Sequence, residues 1–368
     1  MSNIRAIDLF CGTGGLSLGL QQAGIEVVAG IDLERRCKYP YEHNLNAQFI
    51  EASVVDVTAE QLNELWGIGT PRLLAGCAPC QPFSSQRRGK EPSQDKNWRL
   101  LDEFGRLVRE TRPDYVTMEN VPLLARDAMF ERFVRTLERA GYSVDYGVLY
   151  GPDFGLPQKR RRLVLVGALN CEPELPEPTH TSDEYVTVEH AIGALPRLAS
   201  GEHDPHDPLH YARRLSPMNL KRAQHSRPGG TWQDWPLELR LPCQIRDVNA
   251  NFGAFYGRMR ADEPSPTITT QPYNTGAGRF THPTQDRGLT LREAAILQGF
   301  PNDFIFTGPD EKITLENVGD SLAMPCRQLL ARQLARQSFK PSSLVRLLLF
   351  FSNFVREVCV RSFLNPVR

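Results

Sequence analysis

What most constrains this chain is an order of short runs. β-type runs alternate with helical patterns from the N-terminus to about residue 167, and the first run ends in a glycine-rich turn, DLFCGTGGLSLG, that feeds a helix. IRAIDLF precedes GLSLGLQQAG. EVVAGID precedes a polar helix to about Asn46. RLLAGCA leads into a loop and a helix through Leu107, YVTMENV into a helix to Ala140, and QKRRRLVLVG closes the series. Such alternation predicts an α/β domain, a parallel sheet with helices on its faces. Gly24 and Gly141 fall just past apolar-periodic segments, where a left-handed helix cap favours glycine. The chain is 368 residues long and 40% hydrophobic, enough for one large domain plus a smaller lobe.

The glycine-rich turn lets backbone N–H groups and a helix N-terminus approach a ligand closely, which suits a nucleotide-like cofactor. The dinucleotide pattern GxGxxG fails, because Ser17 stands where the third glycine should be after Gly12 and Gly14, and this argues against NAD. Asp32 ends the second β-type run, where an acid can accept hydrogen bonds from ribose hydroxyls, and Asp56 lies beyond a third, weaker run. Taken singly, the turn could be a tight strand-to-helix connection and either acid a cap residue. Their order after the glycine loop favours the cofactor reading.

GCAPCQPFS follows the fourth β-type run, so Cys80 is expected at the carboxyl end of the sheet, where open α/β folds place ligands. Pro79 and Pro82 stiffen the backbone on either side of it. The alternatives are a packed cysteine or half of a metal site with Cys77. No second CxxC or His pair supplies further ligands, and no metal is expected. ENV follows the fifth run, so Glu119 emerges from the same edge. In QKRRR, strand alternation puts Gln158, Arg160 and Arg162 on one face and Lys159 and Arg161 on the other.

Lys plus Arg and Asp plus Glu each total 43, so whole-chain charge points to no polyanion and any nucleic-acid contact must be local. Local basic clusters exist. Residues 81–98 carry Arg87, Arg88, Lys90 and Lys96. The Pro- and His-rich stretch 168–254 carries Arg213, Arg214, Lys221, Arg222, Arg227, Arg240 and Arg246, types suited to phosphates and guanine edges. The 8 cysteines are scattered, apart from Cys77 and Cys80, which suits a reducing compartment, and a cytoplasmic location is expected. The N-terminus lacks the order of a signal peptide, and no run reaches the roughly 18 apolar residues of a membrane span.

The ordered set DLFCGTGG, PCQPFS, ENV, QKRRRLVLVG and LQGFP resembles the bacterial DNA cytosine-5 methyltransferase family (type II modification methylases), over most of residues 1–167 and about 255–337. The resemblance implies a Rossmann-like S-adenosylmethionine-dependent methyltransferase domain with a smaller target-recognition lobe. It implies S-adenosyl-L-methionine held by Phe10, Cys11, Gly12, Thr13, Gly14, Gly15 and Pro79, with Asp32 near the ribose and Asp56 near the adenine. It also implies Cys80 as nucleophile, Glu119 as its acid partner, and Arg162 helping to hold the target base while Gln158 and Arg160 steady Glu119 or phosphate. Residues 1–167 then form the first part of the catalytic domain, 168–254 the recognition lobe, and 255–337 its closure and the return to the catalytic domain. The tail, 338–368, has no assigned role and is read by default as a packing helix, the alternatives being a partner surface or a membrane-surface helix.

The chemistry explains these residue types. Carbon 5 of cytosine is a poor nucleophile, and thiolate addition at carbon 6 makes it an enamine-like centre that attacks an electrophilic methyl. The charge that builds at ring nitrogen 3 calls for a carboxyl acting as general acid. A base within a duplex cannot offer both faces of its ring, so it must be extruded, and the resemblance implies that the 81–98 loop closes over it. The partner implied is double-stranded DNA, in a restriction-modification setting where a cognate restriction endonuclease would act separately; a monomer is expected. The alternatives are an RNA cytosine-5 methyltransferase, disfavoured by the long lobe and QPFS, and a catalytically silent DNA-binding homologue, disfavoured by Cys80 and Glu119. Two features depart from the family pattern: Ala78, where a second proline is common, and NVGDSLAMP, a loose version of the closing block.

Overall fold

The computed structural model describes residues 4–79, 99–246, 254–269 and 271–308. Its centre is a seven-stranded sheet in the order β3-β2-β1-β4-β5-β7-β6. The strands are β1 (Arg5–Leu9), β2 (Glu26–Asp32), β3 (Gln48–Glu51), β4 (Arg72–Gly76), β5 (Tyr115–Asn120), β6 (Ser143–Tyr150) and β7 (Arg161–Ala168). Between them run α1 (Gly15–Gln22), α2 (Lys38–Asn44), α3 (Ala59–Trp66), α4 (Leu100–Thr111) and α5 (Ala128–Arg139). Strands β1 to β5 are parallel, as alternation requires.

The sheet is not wholly parallel. β7 runs antiparallel to both β5 and β6, and β6 itself has no counterpart among the expected runs. SVDYGVLY alternates weakly, with half-buried and exposed positions at the sheet edge, so it lacks the apolar density of a central strand. The reversal has a functional consequence. In a parallel strand, residues 158–162 would enter at the far rim. Running antiparallel, β7 pairs Leu163 with Asn120 and so starts at the rim where β5 ends.

Both faces of the sheet are covered, and successive strand residues divide between two cores. Ile7, Leu74, Val116, Leu163 and Leu165 pack with Trp66, Phe104 and Phe133 from the helices on one side. Ala6, Leu73, Ala75, Val164 and Val166 pack with Leu16, Leu20 and Phe154 on the other. This is why RLLAG and RLVLV read as unbroken apolar runs. Gly24 (φ +86) and Gly141 (φ +91) are left-handed, as expected after α1 and α5. Thr58 caps α3 in a reciprocal box with Gln61, a device worth about 1 kcal/mol.

A third core joins Cys11, Leu18, Tyr41 and Phe49 to Val188 and Ile192 of α6 (Val188–Ile192), to Leu209, and to Leu289, Leu291, Ala294 and Phe300 around α9 (Leu291–Leu297). The LTLREAAILQGF stretch therefore closes onto the first domain. Between these segments lie a two-stranded ribbon, β8 (His203–Asp204) with β9 (Asp207–Tyr211), then α7 (Pro217–His225) and α8 (Pro242–Arg246). Trp232, Trp235 and Leu239 form a small core of their own.

Candidate active site

The strand order reverses between β1 and β4: from β1 the chain proceeds outward to β2 and β3, then crosses to β4 on the other side. At such a switch point the connections leaving neighbouring strands diverge and open a crevice at the carboxyl rim. The two connections here are Phe10–Gly14 and Cys77–Pro79.

The first is a tight left-handed turn. Phe10 (φ 58), Gly12 (φ 53) and Gly14 (φ 95) all have positive φ. For Phe10 that conformation costs of order 1–2 kcal/mol and persists only where its surroundings impose it. The Gly12 N–H donates to Asp32 Oδ2 at 2.9 Å, and the Glu34 N–H to Asp32 Oδ1 at 2.9 Å, so Asp32 ties the turn to the end of β2. Beneath it, Ser17 Oγ lies 2.7 Å from Asp8 Oδ2 and 2.8 Å from the hydroxyl of buried Tyr41. A Cβ on Gly14 would stand 2.4 Å from Leu45 Cδ1, and one on Gly30 2.3 Å from Tyr41 Cζ, so neither glycine tolerates a side chain. Burial, with Asp8 and Asp32 adding, pushes the Cys11 thiol well up and leaves it protonated and unreactive. Thr13 and Gly15 are buried, Phe10 is half-buried and Pro79 is exposed. Leu33, next to Asp32, is 69% exposed, an apolar side chain at the mouth of the crevice. Asp56 is exposed and lines a cleft of about 540 Å³ with Thr58, Arg106 and Glu110. No described hydrogen bond joins it to the glycine turn.

The second connection meets the end of β5. Gly76 pairs with Met118, so continuing the parallel register sets Cys77 level with Glu119 and Ala78 level with Asn120. The side chains follow. The Cys77 thiol donates to Glu119 Oε2 at 3.3 Å, and Asn120 Nδ2 donates to the Ala78 carbonyl at 3.0 Å. From β7, Arg162 Nε stands 3.1 Å from Glu119 Oε1, with the two side chains only 15% and 5% exposed. Removing the cation from so buried a pair leaves a stranded charge, at about 3–5 kcal/mol.

The alternation expected in QKRRR holds. Gln158 and Arg160 are buried, Lys159 and Arg161 are exposed, and Arg162 is intermediate. Of the three on one face, Arg162 reaches the carboxyl. Gln158 instead donates through Nε2 to the Leu297 carbonyl at 3.3 Å, fastening the strand entrance to α9. Cys80, the 81–98 loop, NVGDSLAMP and the 338–368 tail lie outside the described residues.

Two arginines expected to face nucleic acid, Arg222 and Arg240, are engaged within the protein. Arg222 donates to the Leu239 carbonyl at 2.8 Å and stacks over Trp235 and Tyr256. Arg240 donates to the carbonyls of Trp235 and Gln233 and covers Trp232. Arg258, 5% exposed, donates to the carbonyls of Ser226, Ala223 and His282. In a segment with little regular structure, guanidinium groups satisfy carbonyls that no ladder or helix claims. A cleft of about 570 Å³ remains, where Lys159, Arg227, Arg260 and Arg279 face Asp234 and Glu263. Among the described residues Arg279 has no ion pair or hydrogen bond.

Sequence reading missed three of these participants: Cys77 as a partner of Glu119, Asn120 as the tie to Ala78, and Tyr41 under the glycine turn. For the first two the available signal was register, since Gly76 at the end of β4 pairs with Met118, one residue before Glu119. Tyr41 carried none.

A doubly wound sheet with a glycine turn at its switch point and a buried carboxyl at the neighbouring strand end is the architecture of a Rossmann-like methyltransferase. Solved structures agree on the fold. A methyltransferase encoded within an E. coli prophage superposes with a TM-score of 0.69 at 20% identity, covering 91% of this chain and 98% of that one. The chain belongs to the C-5 cytosine-specific DNA methylase family, whose family model matches residues 4–336, and it is a DNA (cytosine-5)-methyltransferase. It is 44% identical to the type II methylase M.HgiDII of Herpetosiphon aurantiacus over 90% of this chain and 94% of that protein. It is 32% identical to the type II methyltransferase M1.HphI of Haemophilus parahaemolyticus over 92% of this chain and 87% of that one. No described helix is long and apolar enough to cross a membrane.

Proposed function

We propose that the chain methylates carbon 5 of a cytosine extruded from a specific duplex sequence, with Cys80 as covalent nucleophile and Glu119 as acid, as the modification enzyme of a restriction-modification system. The observation that carries this reading is the convergence of Glu119, Arg162 and the Cys77–Pro79 connection at one rim.

S-adenosyl-L-methionine would supply the methyl group when bound. The residues fit it: the left-handed turn from Phe10 to Gly14 brings backbone without side chains at Gly12 and Gly14 to the crevice, and exposed Leu33 offers an apolar surface to a base. Each Asp32 oxygen accepts one backbone N–H and keeps a second lone pair for a ribose hydroxyl. Asp56 is proposed for the adenine from the order of motifs. Cys80, three residues past the level of Glu119, adds to ring carbon 6. Glu119 holds a proton at ring nitrogen 3, and Arg162 keeps the carboxyl charge-balanced beside the pyrimidine. Gln158 and Arg160 act from behind, holding the start of β7 in place.

Residues 168–254 are proposed to read the DNA sequence, and the cleft bounded by Lys159, Arg227, Arg260 and Arg279 to take backbone phosphate. Lys159 sits three residues from Arg162, so a strand of about 10 Å links phosphate to carboxyl. The proposal further includes a monomeric enzyme that acts apart from any endonuclease.

The test is transfer of labelled methyl to unmethylated duplex DNA of mixed sequence. Label should appear in 5-methylcytosine, and Cys80→Ala should abolish transfer while keeping cofactor binding. Turnover retained by that variant would remove Cys80 from its role.

A further inference from the structure

We propose that Cys77 is a positioning residue for the Glu119 carboxyl, its thiol fixing Oε2 while Arg162 faces Oε1. The inference rests on the methyl-transfer reading above and concerns how the acid is held.

The placement is built into the sheet. Cys77 follows β4 directly, and its N–H donates to the Leu9 carbonyl at 3.3 Å, continuing the β1 ladder. Gly76 before it is packed so closely that a Cβ would lie 3.1 Å from that same carbonyl and 3.1 Å from a Phe104 ring carbon. The backbone at Cys77 therefore has no room to drift. Its side chain is 6% exposed and that of Glu119 5%, so the 3.3 Å contact is shielded from water. A carboxyl has two oxygens, each able to accept twice. With a cation on one oxygen and a thiol on the other, the carboxyl plane is set.

Why sulfur serves here follows from donor strength. A group that must hold a proton at a ring nitrogen has to keep its place both with and without that proton. A thiol is a weak donor and also a weak acceptor, so it orients either form without committing the carboxyl to one. Sequence reading named Cys77 only as the other half of a disfavoured metal site, and the register across β4 and β5 gives it a different role.

The test compares Cys77→Ala and Cys77→Ser with wild type, using labelled S-adenosylmethionine and unmethylated duplex DNA of mixed sequence. Losing one net hydrogen bond at the acid should lower kcat about tenfold in Cys77→Ala. KM for DNA and cofactor should stay within about twofold, because no substrate contact is removed. With the thiol donor removed the ionised carboxyl loses support, so the alkaline limb of the pH profile should move to higher pH in the alanine variant. In Cys77→Ser most of kcat should return, and the limb should move to lower pH, because a hydroxyl donates more strongly. Wild-type kcat and pH profile in Cys77→Ala would overturn the proposal. So would equal losses in both variants with an unmoved pH limb, which is the behaviour of a packing residue. If the alanine variant fails to fold, the direction of the limb in Cys77→Ser decides alone. Absence of transfer by wild type would instead sink the underlying reading, a separate result from the same assay.

Discussion

The carboxyl rim of the sheet and the lobe around Trp232 are built by opposite means. At the rim, strand pairing decides everything: because Gly76 pairs with Met118, Cys77 meets Glu119 and Ala78 meets Asn120. Among the described residues of the lobe there is almost no ladder beyond the short β8–β9 ribbon, and side chains hold the backbone. Arg222, Arg240 and Arg258 each donate to main-chain carbonyls, and indole rings fill the space between. A ladder is rigid and common to many sequences, which suits chemistry that must not change. A lobe held by individual side chains can be rewritten residue by residue, which suits a surface that selects a sequence.

That difference can be broken experimentally, beginning with the largest effect. Trp232 is fully buried in the small core of the lobe, and Trp232→Ala should cost about 3–5 kcal/mol there. If the lobe is energetically separate, cofactor binding should survive while DNA binding is lost; calorimetry and filter binding read the two. Loss of both together would show that the lobe and the sheet fold as one unit.

Acid should loosen the lobe side as well. His282 accepts the N–H groups of Thr284 and Gln285 at Nδ1, so the native ring is neutral there. Burial pushes its pKa down to about 4, with Arg287, Arg258 and Arg197 adding to that and Glu293 opposing. The neutral form is native, so its stabilisation is complete above about pH 6.5 and is lost as pH falls towards 4, about 3 kcal/mol in all. Glu293 works in the same direction. Burial opposes its charge, but Arg287 at 2.7 and 2.8 Å holds it below the usual range, and that stabilisation too drains away in acid. Urea midpoints at pH 7 and pH 4.5 should fall steeply for wild type and less for His282→Gln. Parallel slopes would remove His282 from the account.

The smallest effect lies at the glycine turn. Gly12→Ala places a Cβ at φ 53, a strain of about 1–2 kcal/mol, and should weaken cofactor binding by about tenfold with DNA binding unchanged. Equal weakening of both ligands would argue that the turn and the lobe are coupled.

The same contrast explains what could be read from the sequence. Parallel strands β1, β2, β4 and β5 announce themselves because both faces are buried and their residues run apolar without interruption. Glu119 was legible because it ends such a run. β6 was not, since an edge strand with exposed Tyr146 and Val148 carries no such density. The direction of β7 was missed with it, although the resemblance still assigned Arg162 to the target base, and only the antiparallel sense brings it to that rim. In the lobe, Arg222 and Arg240 look in sequence like any DNA-facing arginine. Nothing local distinguishes a guanidinium that covers an indole from one that meets a phosphate, because the choice depends on carbonyls far along the chain.

The most direct test replaces the target cytosine with 5-fluorocytosine in a duplex that wild type methylates. After methyl transfer, fluorine occupies the position from which a proton would leave, so the thioether to ring carbon 6 cannot be released. Wild type with S-adenosylmethionine should give a protein–DNA species that survives denaturation and maps to Cys80, and Cys80→Ala should give none. Methylation of ordinary duplex without a trapped species on the fluorinated one, or equal trapping by Cys80→Ala, would contradict the account.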